Sequence, residues 1–140
     1  MPALTNVSFQ RWFRTARPAN SPVTGKSGSI FLACFMEGLG TFILVFVILK
    51  VTEKAKQIDN LTPFIIGLTV TIIICLVAPY TQAGLNPARD FAPRIVAYFA
   101  GWGSAAFPIV PFSFFTVYIL SPMIGGILAA YSHKPSLTKN

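Results

Sequence analysis

The stretch Gly84-Leu-Asn-Pro-Ala-Arg-Asp-Phe-Ala-Pro-Arg94 decides the fold of this chain. Asn86 is a favourable N-cap, and Pro87 suits the first helical turn because its missing N–H would have no partner there. We therefore predict a helix over residues 87–99, ended by the Gly101-Trp-Gly break. This helix is too short and too charged to cross a bilayer, which takes about 20 predominantly apolar residues.

The segments around this helix are apolar enough to span a membrane. Only 11% of the 140 residues are charged, against about 25% in soluble proteins. We predict spans over residues 30–49, 61–78 and 108–131. A short capped helix between spans is typical of a re-entrant half-helix, which is tolerated where protein buries it or where it lines a cavity. The predicted fold class is an all-α membrane protein with three transmembrane helices and one re-entrant half-helix, and the sequence indicates a permeation pathway.

Proline and small residues predict the local shape of these elements. Ala78-Pro79 is expected to end the second span, after which Tyr80–Leu85 runs as extended backbone whose carbonyls need partners, such as permeating molecules. Pro122 predicts a kink at residues 118–122 of the last span. Close helix packing is predicted at Gly125, Gly126, Ala129 and Ala130.

Composition also excludes several functions. The two cysteines, Cys34 and Cys75, lie in apolar runs and indicate neither a disulfide framework nor a metal site. The single histidine, His133, sits in a polar tail, so we expect no enzyme and no cofactor. The net charge of +7 reflects loops and membrane orientation rather than nucleic-acid binding, because no basic run carries interleaved aromatic residues.

The polar segments outside the spans are interpreted as tails and a connection. Residues 1–29 are basic and free of acidic residues, which fits a transit peptide or, as we favour, a solvated flank. Residues 50–60 form a turn between antiparallel spans, and residues 132–140 form a polar tail. Three spans place the two termini on opposite faces of the membrane.

Glu37 is the only charged residue of the first predicted span. A carboxylate at this depth is costly and is a functional candidate by default. We favour a structural carboxylate that accepts hydrogen bonds from the backbone of an irregular loop. The alternative is a protonatable relay, although the spans offer no further ionisable neighbours.

The motif Gly84–Arg94, followed by Ala100-Gly-Trp-Gly, resembles the second half of the aquaporin family, in its glycerol-facilitator branch. The resemblance covers about residues 29–131. In that family two inverted repeats each contribute three spans and one half-helix, and their Asn-Pro-Ala turns meet at the bilayer centre. This chain resembles the second repeat and lacks the first Asn-Pro-Ala turn.

The resemblance implies permeation of small uncharged solutes, glycerol or water. Asn86 would offer its amide N–H to a passing oxygen, and Arg89 would form part of the outer constriction; alternatively, Arg89 is a structural arginine paired with a carbonyl. Glu37 and Asp90 would support the pore loop. The predicted pore and selectivity residues are Asn86, Pro87, Ala88, Arg89, Ile74, Ala83, Gly84 and Leu85.

The residues at the positions of the family's selectivity filter do not decide between glycerol and water. Ala83 stands where bacterial-type glycerol facilitators have an aromatic residue, and Ile74 stands where they have glycine. Four other positions agree with glycerol-permeable members: Asp90, Arg94, Pro122 and Met123.

Two functions from different classes follow. The first is a channel half that conducts only with a complementary repeat, together with other aquaporin-like chains in a tetramer-type assembly if a full pore forms. Antiparallel pairing of two copies is a less favoured version of it. The second is a truncated, non-conducting membrane protein that acts as a structural or regulatory partner of full-length relatives. We expect the plasma membrane, with an organelle membrane as the alternative.

Overall fold

The computed structural model describes residues 30–54, 61–107 and 113–133. This part of the chain is helical and contains no strand. Its α-helices are α1 (Ile30–Glu53), α2 (Thr62–Thr81), α3 (Pro87–Ala97), α4 (Ser113–Phe115) and α5 (Ser121–Ser132). Helix α3 is followed by a wide turn (Tyr98–Trp102), which is broken at Gly101 with a φ of 99°, and by a 3₁₀ turn (Gly103–Ala106). A π-helical turn (Thr116–Leu120) joins α4 to α5.

Within the described ranges, three helical stretches are long and apolar enough to cross a membrane: α1, α2 and Ser113–Ser132. The predicted class of an all-α integral membrane protein is therefore confirmed. Four predicted segments lie outside the described residues: the tail at 1–29, residues 55–60 of the connection, residues 108–112 of the third span and the tail from residue 134.

Two helices are longer than predicted. Helix α1 continues to Glu53, one turn beyond the predicted end at residue 49. Helix α2 passes through Pro79 and ends at Thr81, so the prediction that Ala78-Pro79 ends it is wrong. Pro79 has no N–H to donate to the Cys75 carbonyl, yet the helix continues for two more residues. The stop is instead at Gln82, which has a left-handed φ of 69° and whose N–H donates to the Ala78 carbonyl at 2.9 Å.

Helix α1 lies between α2 and α5 and contacts both. It approaches α5 most closely where two glycines meet, because a Cβ on Gly125 would overlap the carbonyl oxygen of Gly38. Ala129 is also fully buried, so the predicted close packing is confirmed for these α5 positions. Ala130 is exposed, and its assignment to the packed face is wrong.

The last span is irregular where a kink was predicted. The π-helical turn Thr116–Leu120 precedes α5, and both the backbone N–H and the hydroxyl of Ser121 donate to the Thr116 carbonyl. Pro122 has no N–H to donate to the carbonyl four residues earlier, so a turn with wider hydrogen bonding fits here. The proline therefore marks a π-helical turn in the span.

Helix α2 leaves one side uncovered. Large apolar side chains recur every four residues along it, and each is about half or more exposed: Phe64 (65%), Leu68 (49%), Ile72 (52%) and Leu76 (66%). We call these four residues the α2 stripe. A continuous apolar surface of this kind faces lipid or another protein.

Candidate functional site

The turn that leads into α3 is strongly curved. Gln82, Ala83 and Leu85 have positive φ values of 69°, 54° and 56°, so the prediction of extended backbone over Tyr80–Leu85 is wrong. Left-handed conformations cost roughly 1–2 kcal/mol for each residue other than glycine. Contacts with the surrounding helices must therefore hold the turn, here defined as residues 82–86.

Glu37 holds the turn from α1. Its side chain is fully buried, and its Oε1 accepts a hydrogen bond from the Gly84 N–H at 2.8 Å. Its Oε2 accepts from the Leu85 N–H at 2.6 Å. Charge-assisted hydrogen bonds such as these are about twice as strong as neutral ones. Because backbone donors occupy both oxygens, these contacts favour a structural role over a proton relay.

Two hydroxyl side chains form hydrogen bonds with carbonyl groups in and next to the turn. The Thr41 hydroxyl lies 2.8 Å from the Leu85 carbonyl oxygen, and the Tyr118 hydroxyl donates to the Thr81 carbonyl at 2.8 Å. Neither residue is among those predicted from the sequence. A signal existed for each: Thr41 lies one helical turn after Glu37 on the same face, and a buried tyrosine hydroxyl usually finds a partner.

Arg89 returns to the turn from α3. Its Nη1 donates to the carbonyls of Ala83 and Gly84 at 2.7 and 3.0 Å. Each of these carbonyls therefore has a protein donor and does not depend on a permeating molecule. Because a carbonyl oxygen has two lone pairs, its additional contact with permeating molecules stays a prediction. Arg89 remains exposed overall, and its Nε and Nη2 groups make no hydrogen bond to any described residue.

Asn86 caps α3 as predicted. Its backbone is extended, and its Oδ1 accepts from the N–H groups of Ala88 and Arg89 at 2.9 and 3.3 Å. The Asn86 residue is exposed, Ala88 is exposed and Pro87 is half-buried. Because Oδ1 of Asn86 faces the α3 backbone, the NH₂ group of the same side chain points away from the helix, toward the exposed surface. Asn86 and Arg89 thus both place hydrogen-bond donors on the exposed surface at the start of α3.

Asp90 and Arg94 form a bidentate ion pair along α3. The Nε and Nη2 of Arg94 donate to the two carboxylate oxygens at 2.6 and 2.9 Å, and its Nη1 donates to the Ala106 carbonyl at 2.8 Å. The guanidinium carbon also lies 4.9 Å from the ring centroid of Tyr118 and 5.7 Å from that of Phe114. Asp90 therefore bonds to Arg94, and any support that it gives to the turn is indirect.

Replacing Arg94 with lysine tests whether the planar guanidinium group, which bonds to both carboxylate oxygens of Asp90, is needed for stability. Lysine keeps the positive charge but cannot form two parallel bonds and a third at this spacing, so we expect a loss of about 1.5–3 kcal/mol in the free energy of unfolding. The measurement is an SDS titration in mixed micelles, followed by circular dichroism. Lys50→Arg, at a more exposed ion pair, is the matched control and should change stability by less than about 0.5 kcal/mol. Equal stability of Arg94→Lys and the wild type would contradict the prediction.

The side chains predicted to line the pore wall before Asn86 are largely internal. Ala83 is fully buried, Leu85 is 4% exposed, and the half-buried Ile74 packs against the same cluster. A Cβ on Gly40 would lie 2.7 Å from Leu85 Cδ2, which shows how closely the Leu85 side chain packs on α1. The left-handed turn thus directs the side chains of Ala83 and Leu85 inward, and the place of these two residues in the pore wall stays a prediction for their backbone groups.

The four glycerol-type positions fall in two separate elements. Asp90 and Arg94 pair within α3, whereas Pro122 and Met123 lie in α5. Pro122 is fully buried and Met123 is 52% exposed. The structure does not bring the two pairs into one site.

Glu53 and His133 meet at the C-terminal ends of α1 and α5. His133, placed in a polar tail by the sequence analysis, directly follows α5, and its Nε2 lies 3.7 Å from Glu53 Oε2. Both cysteines are free. No group of three or more His, Cys, Asp or Glu side chains that could hold a metal occurs within the described ranges.

Comparison with known proteins assigns the family. The sequence model of the major intrinsic proteins matches residues 8–133. The chain belongs to this family. It is 39% identical over 111 residues to Aquaglyceroporin-2 of Rhizophagus irregularis, covering 78% of this chain and 35% of that protein.

Bacterial members of the major intrinsic protein family are also similar. The chain is 35% identical over 99 residues to the glycerol uptake facilitator protein of Escherichia coli K12, covering 67% of this chain and 34% of that protein. It is 33% identical over 117 residues to the propanediol uptake facilitator PduF of Citrobacter freundii, covering 80% and 43%. No solved structure matches the chain.

These matches confirm the resemblance to the aquaglyceroporin branch, and they confirm that this major intrinsic protein is not an enzyme. The chain spans between about a third and two fifths of the length of the relatives named above. The curved turn, the capped half-helix and the two exposed donors thus belong to a family in which two of the relatives named above are uptake facilitators.

Proposed function

We propose that this chain forms one half of a passive channel for small uncharged solutes, in which Asn86 and Arg89 contact the solute. The observation that carries the proposal is the exposure of these two residues at the α3 N-terminus, while the N–H groups of Gly84 and Leu85 behind them are bonded to the buried Glu37. The relatives named for glycerol and propanediol uptake support a polyol or water as the solute.

The chemistry of the exposed surface suits neutral hydroxyl groups. The NH₂ of Asn86 and the unoccupied guanidinium N–H groups of Arg89 are donors, and a hydroxyl or water oxygen is an acceptor. The N-terminus of α3 carries roughly half a positive charge, which disfavours cations and protons at this place. A surface that offers N–H donors to neutral oxygen atoms and repels cations suits a facilitator for uncharged solutes rather than a cation pathway.

The opposing wall has to come from a complementary repeat, in the same polypeptide or in another. One repeat with an exposed turn cannot enclose a pore, and the α2 stripe offers apolar surface for a neighbouring helix. We further propose that complete pores associate with other aquaporin-like chains, as a tetramer-type assembly, and that the protein resides in the plasma membrane. Residues Pro87, Ala88 and Gly84 would contribute backbone rather than side chains to the pathway.

Asn86→Asp separates the cap from the solute contact. Aspartate keeps the oxygen that caps α3, so the fold should persist, but it loses the NH₂ donor. We expect glycerol flux into proteoliposomes to fall about tenfold, as for the loss of one hydrogen bond of about 1.4 kcal/mol. The chain is co-reconstituted with the first repeat of a glycerol facilitator, and Glu53→Gln, far from the turn, is the control with wild-type flux.

The same assay decides between the two candidate functions. Glycerol flux of Asn86→Asp equal to that of the wild type would contradict the role of the Asn86 amide. No flux above empty vesicles from the wild-type chain, alone and with first-repeat partners, would contradict the channel proposal. Co-purification with full-length relatives in that case would favour the second candidate, a non-conducting partner that docks through the exposed α2 stripe.

A further inference from the structure

The hydroxyl group of Tyr118 connects the last span to the end of α2. Tyr118 is 3% exposed, and its hydroxyl donates to the Thr81 carbonyl at 2.8 Å. Thr81 is the last residue of α2, and helix ends leave such carbonyls without an intrahelical partner. The N–H four residues later, on Leu85, donates to Glu37 instead. Tyr118 therefore supplies a donor that the helix itself cannot provide.

The ring of Tyr118 contacts both sides of the site. A Cβ on Gly84 would lie 2.8 Å from Tyr118 Cδ1 and 3.3 Å from Cε1, so the ring packs directly against the backbone of the turn. The guanidinium carbon of Arg94 lies 4.9 Å from the ring centroid, within the range of a cation–π interaction. One side chain thus contacts the turn before α3 and an ion-paired arginine within α3.

The irregular backbone of the last span carries Tyr118. This residue is the middle one of the π-helical turn Thr116–Leu120, where an extra residue per turn rotates side chains relative to a regular helix. Single π-helical turns occur frequently at functional sites. The direction of the Tyr118 side chain therefore depends on a local feature that Pro122 favours.

We propose that Tyr118 is a positioning residue for the solute-contacting surface formed by Asn86 and Arg89. Through Thr81 and Gly84 it fixes the turn that presents Asn86, and through Arg94 it fixes the helix that carries Arg89. Tyr118 itself does not contact the solute. The proposal rests on the proposed function for its effect on flux, whereas its effect on the turn is independent of that function.

Tyr118→Phe removes the hydroxyl and keeps the ring and its contact with Arg94. The experiment measures amide hydrogen exchange of the full chain in nanodiscs and glycerol flux of the chain paired with a first repeat. We expect exchange in residues 82–86 to become about fivefold faster, as for one lost hydrogen bond of about 1 kcal/mol, with α1 unchanged and glycerol flux reduced. Tyr118→Leu, which also removes the ring, should have a larger effect on both. Tyr131→Phe, at a side chain that is 90% exposed, is the control without effect.

Three results would overturn the proposal. These are wild-type exchange in the turn of Tyr118→Phe, equal acceleration in the turn and throughout α1, and accelerated exchange in the turn with unchanged glycerol flux. Absence of flux from the wild-type pair would instead contradict the proposed function. In that case the exchange data alone still decide whether Tyr118 positions the turn.

Discussion

Replacement of Glu37 with glutamine is expected to lower the free energy of unfolding by about 3 kcal/mol, because one buried backbone N–H loses its acceptor and the other loses a charged one. The carboxylate accepts from the N–H groups of Gly84 and Leu85 on separate oxygens. Glutamine offers a single acceptor oxygen, and its NH₂ group would face the second N–H. The left-handed turn would then lose the contacts that offset its backbone strain.

The effect of Glu37→Gln can be measured by SDS titration in mixed micelles. Glu53→Gln is a matched control, because it makes the same substitution in the same helix at a looser ion pair with Lys50, 3.6 Å apart. We expect the control to change stability by about 0.5 kcal/mol or less. Equal stabilities of the two variants would show that the turn does not depend on the Glu37 carboxylate.

Gly125→Ala is expected to destabilise the contact between α1 and α5 by about 2–3 kcal/mol, because overpacking forces the backbone to shift. The added methyl would overlap the carbonyl oxygen of Gly38, and the next nearest atoms also belong to the Gly38 backbone. A flexible side chain could move aside, but a helix backbone cannot do so alone. The two helices would have to separate.

The neighbouring glycine provides the control for this substitution. A Cβ on Gly126 would meet only Val45 Cγ2 at 3.9 Å and Thr41 Cγ2 at 4.0 Å, which is ordinary contact. Gly126→Ala should therefore leave stability unchanged or raise it by about 0.5–1 kcal/mol through the lower backbone entropy of alanine. If both alanine variants unfolded at the same SDS fraction, close approach at Gly125 would not limit the packing.

Much of the fold could be predicted from the sequence because it depends on local patterns. Apolar runs identify the three spans, and Asn86 followed by Pro87 identifies the start of α3. Glu37 could be recognised as a candidate functional residue, because placing a carboxylate within an apolar span costs free energy. The ends of the spans were less predictable, since α2 continues through Pro79 to Thr81 although proline removes one backbone donor.

The shape of the turn could not be predicted, because distant residues impose it. Gln82, Ala83 and Leu85 have no local preference for positive φ, and the acceptor on Glu37 is 47 and 48 residues away from the two N–H groups that it serves. Tyr118 was missed for a similar reason, since its importance arises from a contact 37 residues away. Because the curved backbone directs Ala83 inward, the burial of its side chain could not be predicted from the sequence either.

The position of Tyr118 in the chain has a consequence for biogenesis. Ribosomes make proteins from the N-terminus, so Glu37 is already present when the turn at residues 82–86 is synthesised, whereas Tyr118 is not. The growing chain can bond the amide groups of Gly84 and Leu85 early, but the Thr81 carbonyl obtains its donor only after the last span has been made. The re-entrant segment therefore reaches its final conformation as a late step of membrane insertion, when the last helix packs against α1.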